Sequence, residues 1–308
     1  MEPRFLTVAE AARYLRLNPR SVYVLAQRGG IPASRATGKW LFPVHLLDEW
    51  LETSARQRGG GERTPRGRMA LPTGSLFLAG SDDPALELLP DALHGESSAP
   101  VLFTATLGSV GGLQALADGR ADVACAHLVD RTSGEYNLPV IHRYLPGRPV
   151  VVVNLFHREL GLVVWTGNPR KLQGVEDLGR RGLRFVNRQP GSGTRAFTEE
   201  ALAAARIETG TVAGYRDEVS THWAVALRIL RGEADVGVAT RAVASALSLG
   251  FVLLTRERFD LVIPKDTFFQ PPIQALLEAI RSERFRRGLE RLGGYDWGQT
   301  GRVMGEVS

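Results

Sequence analysis

The chain has 308 residues, enough for two or three domains, with 38 Lys/Arg against 33 Asp/Glu and a single cysteine, Cys125. One cysteine excludes an internal disulfide, no apolar run approaches the ~20 residues of a membrane span, and the N-terminus carries no apolar signal core, so a cytoplasmic protein without membrane contact is expected. The charge is uneven: residues 1–68 hold 12 Lys/Arg and 6 Asp/Glu, residues 69–308 hold 26 and 27, which points to a polyanion partner for the N-terminal end.

Thr7-Val-Ala-Glu10 has the form of a capping box, and Val8, Ala11, Ala12 and Leu15 give the short helix behind it one apolar face. The N-terminus is expected to enter this helical pattern directly. Asn18-Pro19 restarts the chain as N-cap and first turn of a second helix, which runs to about Arg28 with Val22 and Leu25 buried. Ala33 to Pro43 reads as a basic hairpin with Thr37-Gly38-Lys39 at its tip, and Val44, Leu46, Leu47, Trp50 and Leu51 as an amphipathic helix closing a small core.

In this order, Leu-Thr-Val-Ala-Glu-Ala-Ala, Asn-Pro-Arg-Ser-Val-Tyr, Ile-Pro, Gly-Lys-Trp-Leu-Phe and Leu-Asp-Glu-Trp-Leu resemble the excisionase and MerR-type winged helix family of DNA-binding domains. The resemblance implies double-stranded DNA as partner, with the second helix in the major groove and the wing on phosphate or minor groove. Arg20, Ser21, Tyr23, Arg35, Thr37 and Lys39 are the candidate DNA contacts. Domain boundaries are expected at 1–52 for this reader, 53–74 for a linker with three consecutive glycines and five arginines, and 75–308 for a larger domain.

From Ser75 the pattern alternates between strands and helices, which argues for parallel α/β sheets. Leu76–Ala79, Val101–Ala105 and Ala121–Ala126 are expected strands; Pro84–Leu93 and Ser109–Ala117 are expected helices. Leu116-Ala-Asp-Gly-Arg-Ala-Asp-Val-Ala-Cys-Ala126 corresponds to Ile229-Leu-Arg-Gly-Glu-Ala-Asp-Val-Gly-Val-Ala239, which suggests two similar lobes. Between them, Phe185 to Leu202 reads as strand, glycine-bracketed turn and helix, offering Ser192, Thr194, Arg188, Arg195 and free helix N–H groups to one anion. The bland reading of that turn is a tight corner made by Gly191 and Gly193.

The motifs Gly80-Ser-Asp-Asp-Pro, Gly-Ser-Val-Gly-Gly-Leu-Gln, Asn-Arg-Gln-Pro-Gly-Ser-Gly-Thr-Arg, Ser-Thr-His-Trp and Glu257-Arg-Phe-Asp-Leu-Val-Ile-Pro264 resemble a periplasmic-binding-protein-like domain fused to bacterial helix-turn-helix regulators, similar to the type II binding proteins for molybdate and tungstate. The implied fold is a small winged helix-turn-helix followed by a two-lobed type II domain of α/β class. The implied ligand is a small anion, molybdate or tungstate first, held by Ser81, Ser109, Val110, Gly111, Arg188, Ser192, Gly193, Thr194, Arg195, Thr221 and His222. Asp82 and Asp83 depart from the threonine-rich loop of those relatives and are expected to face away as helix caps, because carboxylates repel an anion.

Neither glycine motif has dinucleotide or P-loop spacing, the six histidines show no metal-ligand pairing, and Ser192 lacks a nucleophile elbow, so no cofactor, metal or catalytic group is expected. The expected function is a one-component transcriptional regulator. Alternatives are a sensor for an organic anion or molybdenum-cofactor precursor, an enzyme using the same cleft, and a transport-type binding protein. Coupling through a flexible linker calls for a homodimer, whose interface is not legible.

Overall fold

Thr7 does close a capping box: its side chain accepts from the Glu10 N–H, and Glu10 Oε2 accepts from the Thr7 N–H at 2.8 Å. In this computed structural model the described residues are 5–27, 31–35, 38–48, 50–51, 74–93, 99–130 and 132–307. They belong to two compact units, residues 1–66 and 67–308. In the smaller unit a strand, β1 (Phe5–Leu6), precedes helix α1 (Val8–Tyr14). A two-residue strand is too short to show a period, so the sequence pattern conceals it.

Helix α2 (Pro19–Gln27) starts where expected, with the Ser21 N–H donating to Asn18 Oδ1 at 2.7 Å. A bridge between Ser34 and Leu41 closes the wing, β2 (Phe42–Pro43) pairs antiparallel with β1, and a helix, α3, occupies 44–48. Ala11, Ala12, Val22, Ala26, Ile31, Phe42 and Leu47 form the core. The expected linker lies almost wholly outside the described residues.

The larger unit is organised by two long antiparallel strands, β6 (Val150–Val164) and β10 (Gly250–Pro264). Apart from Asn154 and the central His157-Arg158-Glu159, Val150 to Val164 is apolar, because this strand is covered on both faces. On one side lie the parallel strands β3 (Ser75–Gly80), β4 (Val101–Thr106) and β5 (Val123–Ala126); on the other lie β7 (Phe185–Arg188), β8 (Glu218–Val219) and β9 (Val236–Thr240). The sheet order is β4-β3-β5-β10-β6-β9-β7-β8. Thus β6 and β10 run from one lobe into the other, with β10 meeting β5 at Asp260–Val262 and β6 meeting β9 at Leu160–Val164.

Register shifts at Leu253/Thr255 and Phe259/Asp260 bracket the crossing. Bulges bend and twist a strand, so this is where the two lobes can hinge. Each lobe has its own core: Leu76, Val123, Val153, Phe156, Phe259, Ile280 and Phe285 in the first, Leu160, Leu162, Phe185, Leu202 and Val236 in the second.

The internal repeat is real at the level of individual bonds. Helix α5 (Gly108–Ala117) leads through Gly119 to β5, and helix α8 (His222–Leu230) leads through Gly232 to β9, with φ of 67° and 69° at the two glycines. Asp122 Oδ2 accepts from the Phe77 N–H at 2.8 Å, and Asp235 Oδ2 accepts from the Arg184 N–H at 2.9 Å. The shared Ala-Asp-Val therefore ties each strand to the start of its neighbour. The expected helix Pro84–Leu93 is split into a 3-10 turn (Pro84–Leu88) and an α-helical turn, α4 (Leu89–Leu93).

Candidate functional site

Between the lobes, the starts of α5 and α8 approach the loop that succeeds β3, and the start of α7 (Gly193–Ala204) approaches His127. Ser192 caps α7 by accepting from the Arg195 N–H, and Thr221 caps α8 by accepting from the Ala224 N–H. Each cap hydroxyl keeps its own proton to donate. α5 begins at Leu107 without a side-chain cap. Ser109 Oγ lies 2.7 Å from Ser81 Oγ and accepts from the His127 N–H at 3.2 Å.

The lobes touch through glycines. A Cβ on Gly193 would stand 2.3 Å from His127 Cε1, and one on Gly108 would stand 2.7 Å from the Gly191 carbonyl oxygen. Such approaches exclude any side chain. Gly191 also needs its freedom, with φ at 82°.

Arg188, at the end of β7, is 3% exposed. Its Nη2 donates to the Ser220 carbonyl at 2.8 Å and stands 3.7 Å from Asp82 Oδ2, while Nε and Nη1 have no partner among the described residues. Burial pushes this guanidinium down to about 10, with Asp82 pulling the other way, so it stays a cation at neutral pH. Burial, reinforced by Arg188 and Arg158, holds His222 well below the usual imidazole range, so it is neutral. A buried cation with free donors beside helix N-termini is suited to an anion.

Behind it lies a second charge cluster on the crossing strands. Arg158 and Glu257 are register partners on β6 and β10, joined from Nε to Oε2 at 3.0 Å. Arg158 Nη1 donates to Asp83 Oδ2 at 2.8 Å and to the Asp82 carbonyl at 3.1 Å, and Nη2 faces His127 Nε2 at 3.2 Å. Since Arg158 can only donate, His127 Nε2 accepts and its proton sits on Nδ1, 3.4 Å from Glu257 Oε1. Burial alone would raise the Glu257 carboxyl; His127 and Arg158 override it and hold it at about 2. Burial also lowers His127, so Arg158 is the cation that answers Glu257.

The expected site residues separate into groups. Ser81, Ser109, Arg188, Ser192, Gly193, Thr221 and His222 meet where the lobes touch. Thr194 is buried in the first turn of α7; Val110 and Gly111 lie in that of α5. Arg195 points elsewhere: its guanidinium donates to Glu199, Glu218 and the Arg188 carbonyl and packs over Tyr215. Its charge is answered inside the second lobe, so Arg188 is the cleft cation. Asp83 is a cap as expected, accepting from Ala85 N–H at 2.8 Å. Asp82 does not face away; its Oδ2 accepts from the His222 N–H across the cleft at 2.6 Å. His127, Arg158, Glu257 and Tyr295, whose hydroxyl donates to Asp83 Oδ1 at 2.7 Å, were not among the expected site residues. The available signal was the run of charged residues, Arg158 and Glu257 among them, midway along two strands whose ends are apolar.

In the smaller unit Arg20, Tyr23 and Lys39 are exposed and Ser21 is half-buried at the start of α2. Arg35 lies 5.7 Å from the Trp40 ring centroid. Thr37 lies outside the described residues. Among the described residues no helix is long and apolar enough to cross a membrane and no cluster of His, Cys, Asp and Glu could hold a metal ion.

Residues 91–281 match the family model described as PBP superfamily domain, and residues 5–55 match the helix-turn-helix domain. The uncharacterized protein YvgK of Bacillus subtilis is 30% identical over 306 residues, 98% of each chain. The fold is similar to a putative phosphate ABC transporter substrate-binding protein of Clostridium perfringens, solved with bound phosphate (TM-score 0.55, 14% identity, 72% of this chain and 98% of that one). It is also similar to the bromide-bound regulatory domain of HypT from Salmonella typhimurium (TM-score 0.52, 12% identity, 72% and 100%).

Proposed function

We propose that this chain, which belongs to the PBP superfamily and carries a helix-turn-helix domain ahead of that region, is a one-component transcriptional regulator whose cleft senses a small oxyanion. The pairing of the two domains argues for a regulator rather than an enzyme. The observation that carries the ligand class is Arg188, a buried guanidinium with Nε and Nη1 unpartnered among the described residues, beside the starts of α7 and α8. Phosphate and bromide on two neighbours of the fold support an anion without identifying it. Molybdate and tungstate are the first candidates, since the Arg188, Ser192-Gly193-Thr194 spacing resembles that of tungstate-binding relatives.

Binding would favour the closed arrangement of the lobes, and this change would reach DNA through differential pairing of two copies. The test is calorimetric titration of the full chain with molybdate, tungstate, phosphate and sulfate. One oxyanion should bind, and Arg188→Ala should weaken it by about 1.5–3 kcal/mol, the loss of a charge-assisted hydrogen bond. Binding unaffected by R188A would remove Arg188 from the site. No binding of any of the four would end the inorganic oxyanion reading.

A further inference from the structure

The guanidinium assigned above to an oxyanion already has an anion beside its Nη2, and that anion belongs to the protein. Asp82 comes from the first lobe, while the His222 N–H and the Arg188 guanidinium come from the second. The carboxylate accepts the first at 2.6 Å and stands 3.7 Å from the second, with 12% of its side chain exposed. Two anions cannot share such donors at close range without strong repulsion.

Asp82 has somewhere else to go. A cavity of about 350 Å³ adjoins it, lined by Ser81, Asp82, Asp83, Glu87 and Thr106 and by none of the second-lobe donors. Its backbone is anchored independently of that side chain, because the Asp82 carbonyl accepts from Arg158 and Asp83 pairs with the same guanidinium.

Resting on the oxyanion reading of the cleft, we propose that Asp82 is an internal competitor for the ligand: its carboxylate bridges the lobes through the His222 N–H and Arg188, and an oxyanion binds by displacing it. Such competition bears on selectivity. A weakly coordinating monoanion offers no more than the tethered carboxylate does, whereas a tetrahedral oxyanion can engage the Arg188 Nε and Nη1 that Asp82 leaves free. Burial raises the Asp82 carboxyl, with Arg188 and the His222 N–H pulling it back, which makes its charge easier to lose than that of an exposed aspartate.

The experiment compares full-length wild type with Asp82→Ala and Asp82→Asn by titration with molybdate, tungstate, phosphate, sulfate and chloride. Hydrogen exchange of peptides covering His222 is followed in parallel. D82A should bind the preferred oxyanion at least tenfold more tightly, with D82N between it and wild type. The His222 amide should exchange faster in D82A alone and recover protection when the oxyanion is added. Wild-type binding with no gain in D82A would overturn the inference while leaving the oxyanion reading intact; weaker binding would overturn it too, making Asp82 an acceptor for a ligand hydroxyl instead. If neither protein binds any of the probes, the oxyanion reading falls and takes this inference with it.

Discussion

At the scale of single residues, the charges of this cleft divide by whether they are answered. Arg158 is 1% exposed and has Asp83 and Glu257 against it, so it acts as a tie between the first lobe and both crossing strands. Arg188 is as deeply buried and has only a 3.7 Å approach to one carboxylate. On the proposed reading of the cleft, the first is structural and the second is offered to the ligand. Glu257 tests the structural half. Its folded carboxyl is held at about 2, below its ordinary 4.5, so the stability it contributes is complete above 4.5 and is lost as pH falls towards 2. Glu257→Gln should flatten that acid limb and cost about 3–5 kcal/mol at neutral pH by breaking a buried pair. Denaturant melts of the larger unit across pH would show it, and an unchanged acid limb would remove Glu257 as its source.

At the scale of elements, the capped helices and the close glycines decide how tightly the lobes meet. Ser192 and Thr221 satisfy amides at the starts of α7 and α8, while Gly108 lets the start of α5 meet the Gly191 backbone and Gly193 lets α7 meet the His127 ring. Gly193 is the informative position, because its backbone is one any residue can adopt and only space forbids a side chain there. The His127 ring it would strike is held by Arg158 at 3.2 Å and a stack on Phe259 at 5.7 Å, with its backbone N–H tied to Ser109, so it cannot easily yield. Gly193→Ala should therefore hold the lobes apart, opposing closure by about 1–3 kcal/mol, the usual cost of overpacking. The expected readout is a loss of oxyanion affinity of about 5- to 150-fold with the unfolding midpoint of the larger unit little changed. Full affinity in G193A would mean that this close approach is not needed for binding.

At the scale of the whole molecule, the two compact units carry different chemistry. The smaller has a basic excess, with Arg20, Tyr23 and Lys39 exposed, and its sequence matches a helix-turn-helix domain. Arg20→Ala with Lys39→Ala should weaken binding to DNA from upstream of the coding region and reduce the salt slope by about one for each phosphate no longer neutralised. Gel retardation at several salt concentrations measures both, and an unchanged slope would remove these residues from the interface. Oxyanion affinity should be unaffected, since the cleft lies wholly within the larger unit.

The features legible in the order of residues alone are local: the capping box, the helix starts, the glycine-bracketed turn of Arg188 and the Ala-Asp-Val repeat are set by neighbours within a few residues, and periodicity or spacing records them. The repeat even predicted the two lobes. Which charges face one another is settled only in three dimensions. Asp82 and Asp83 are adjacent and chemically identical, yet one caps its own turn and the other crosses to the His222 N–H. Arg188 and Arg195 flank one turn, yet Glu199 and Glu218 answer the second, while Nε and Nη1 of the first have no partner among the described residues. The pairing of Arg158 with Glu257 joins residues 99 apart through the register of two crossing strands. Electrostatic partnership depends on distances of a few ångströms between elements far apart in the chain, and no local pattern of residues carries that information.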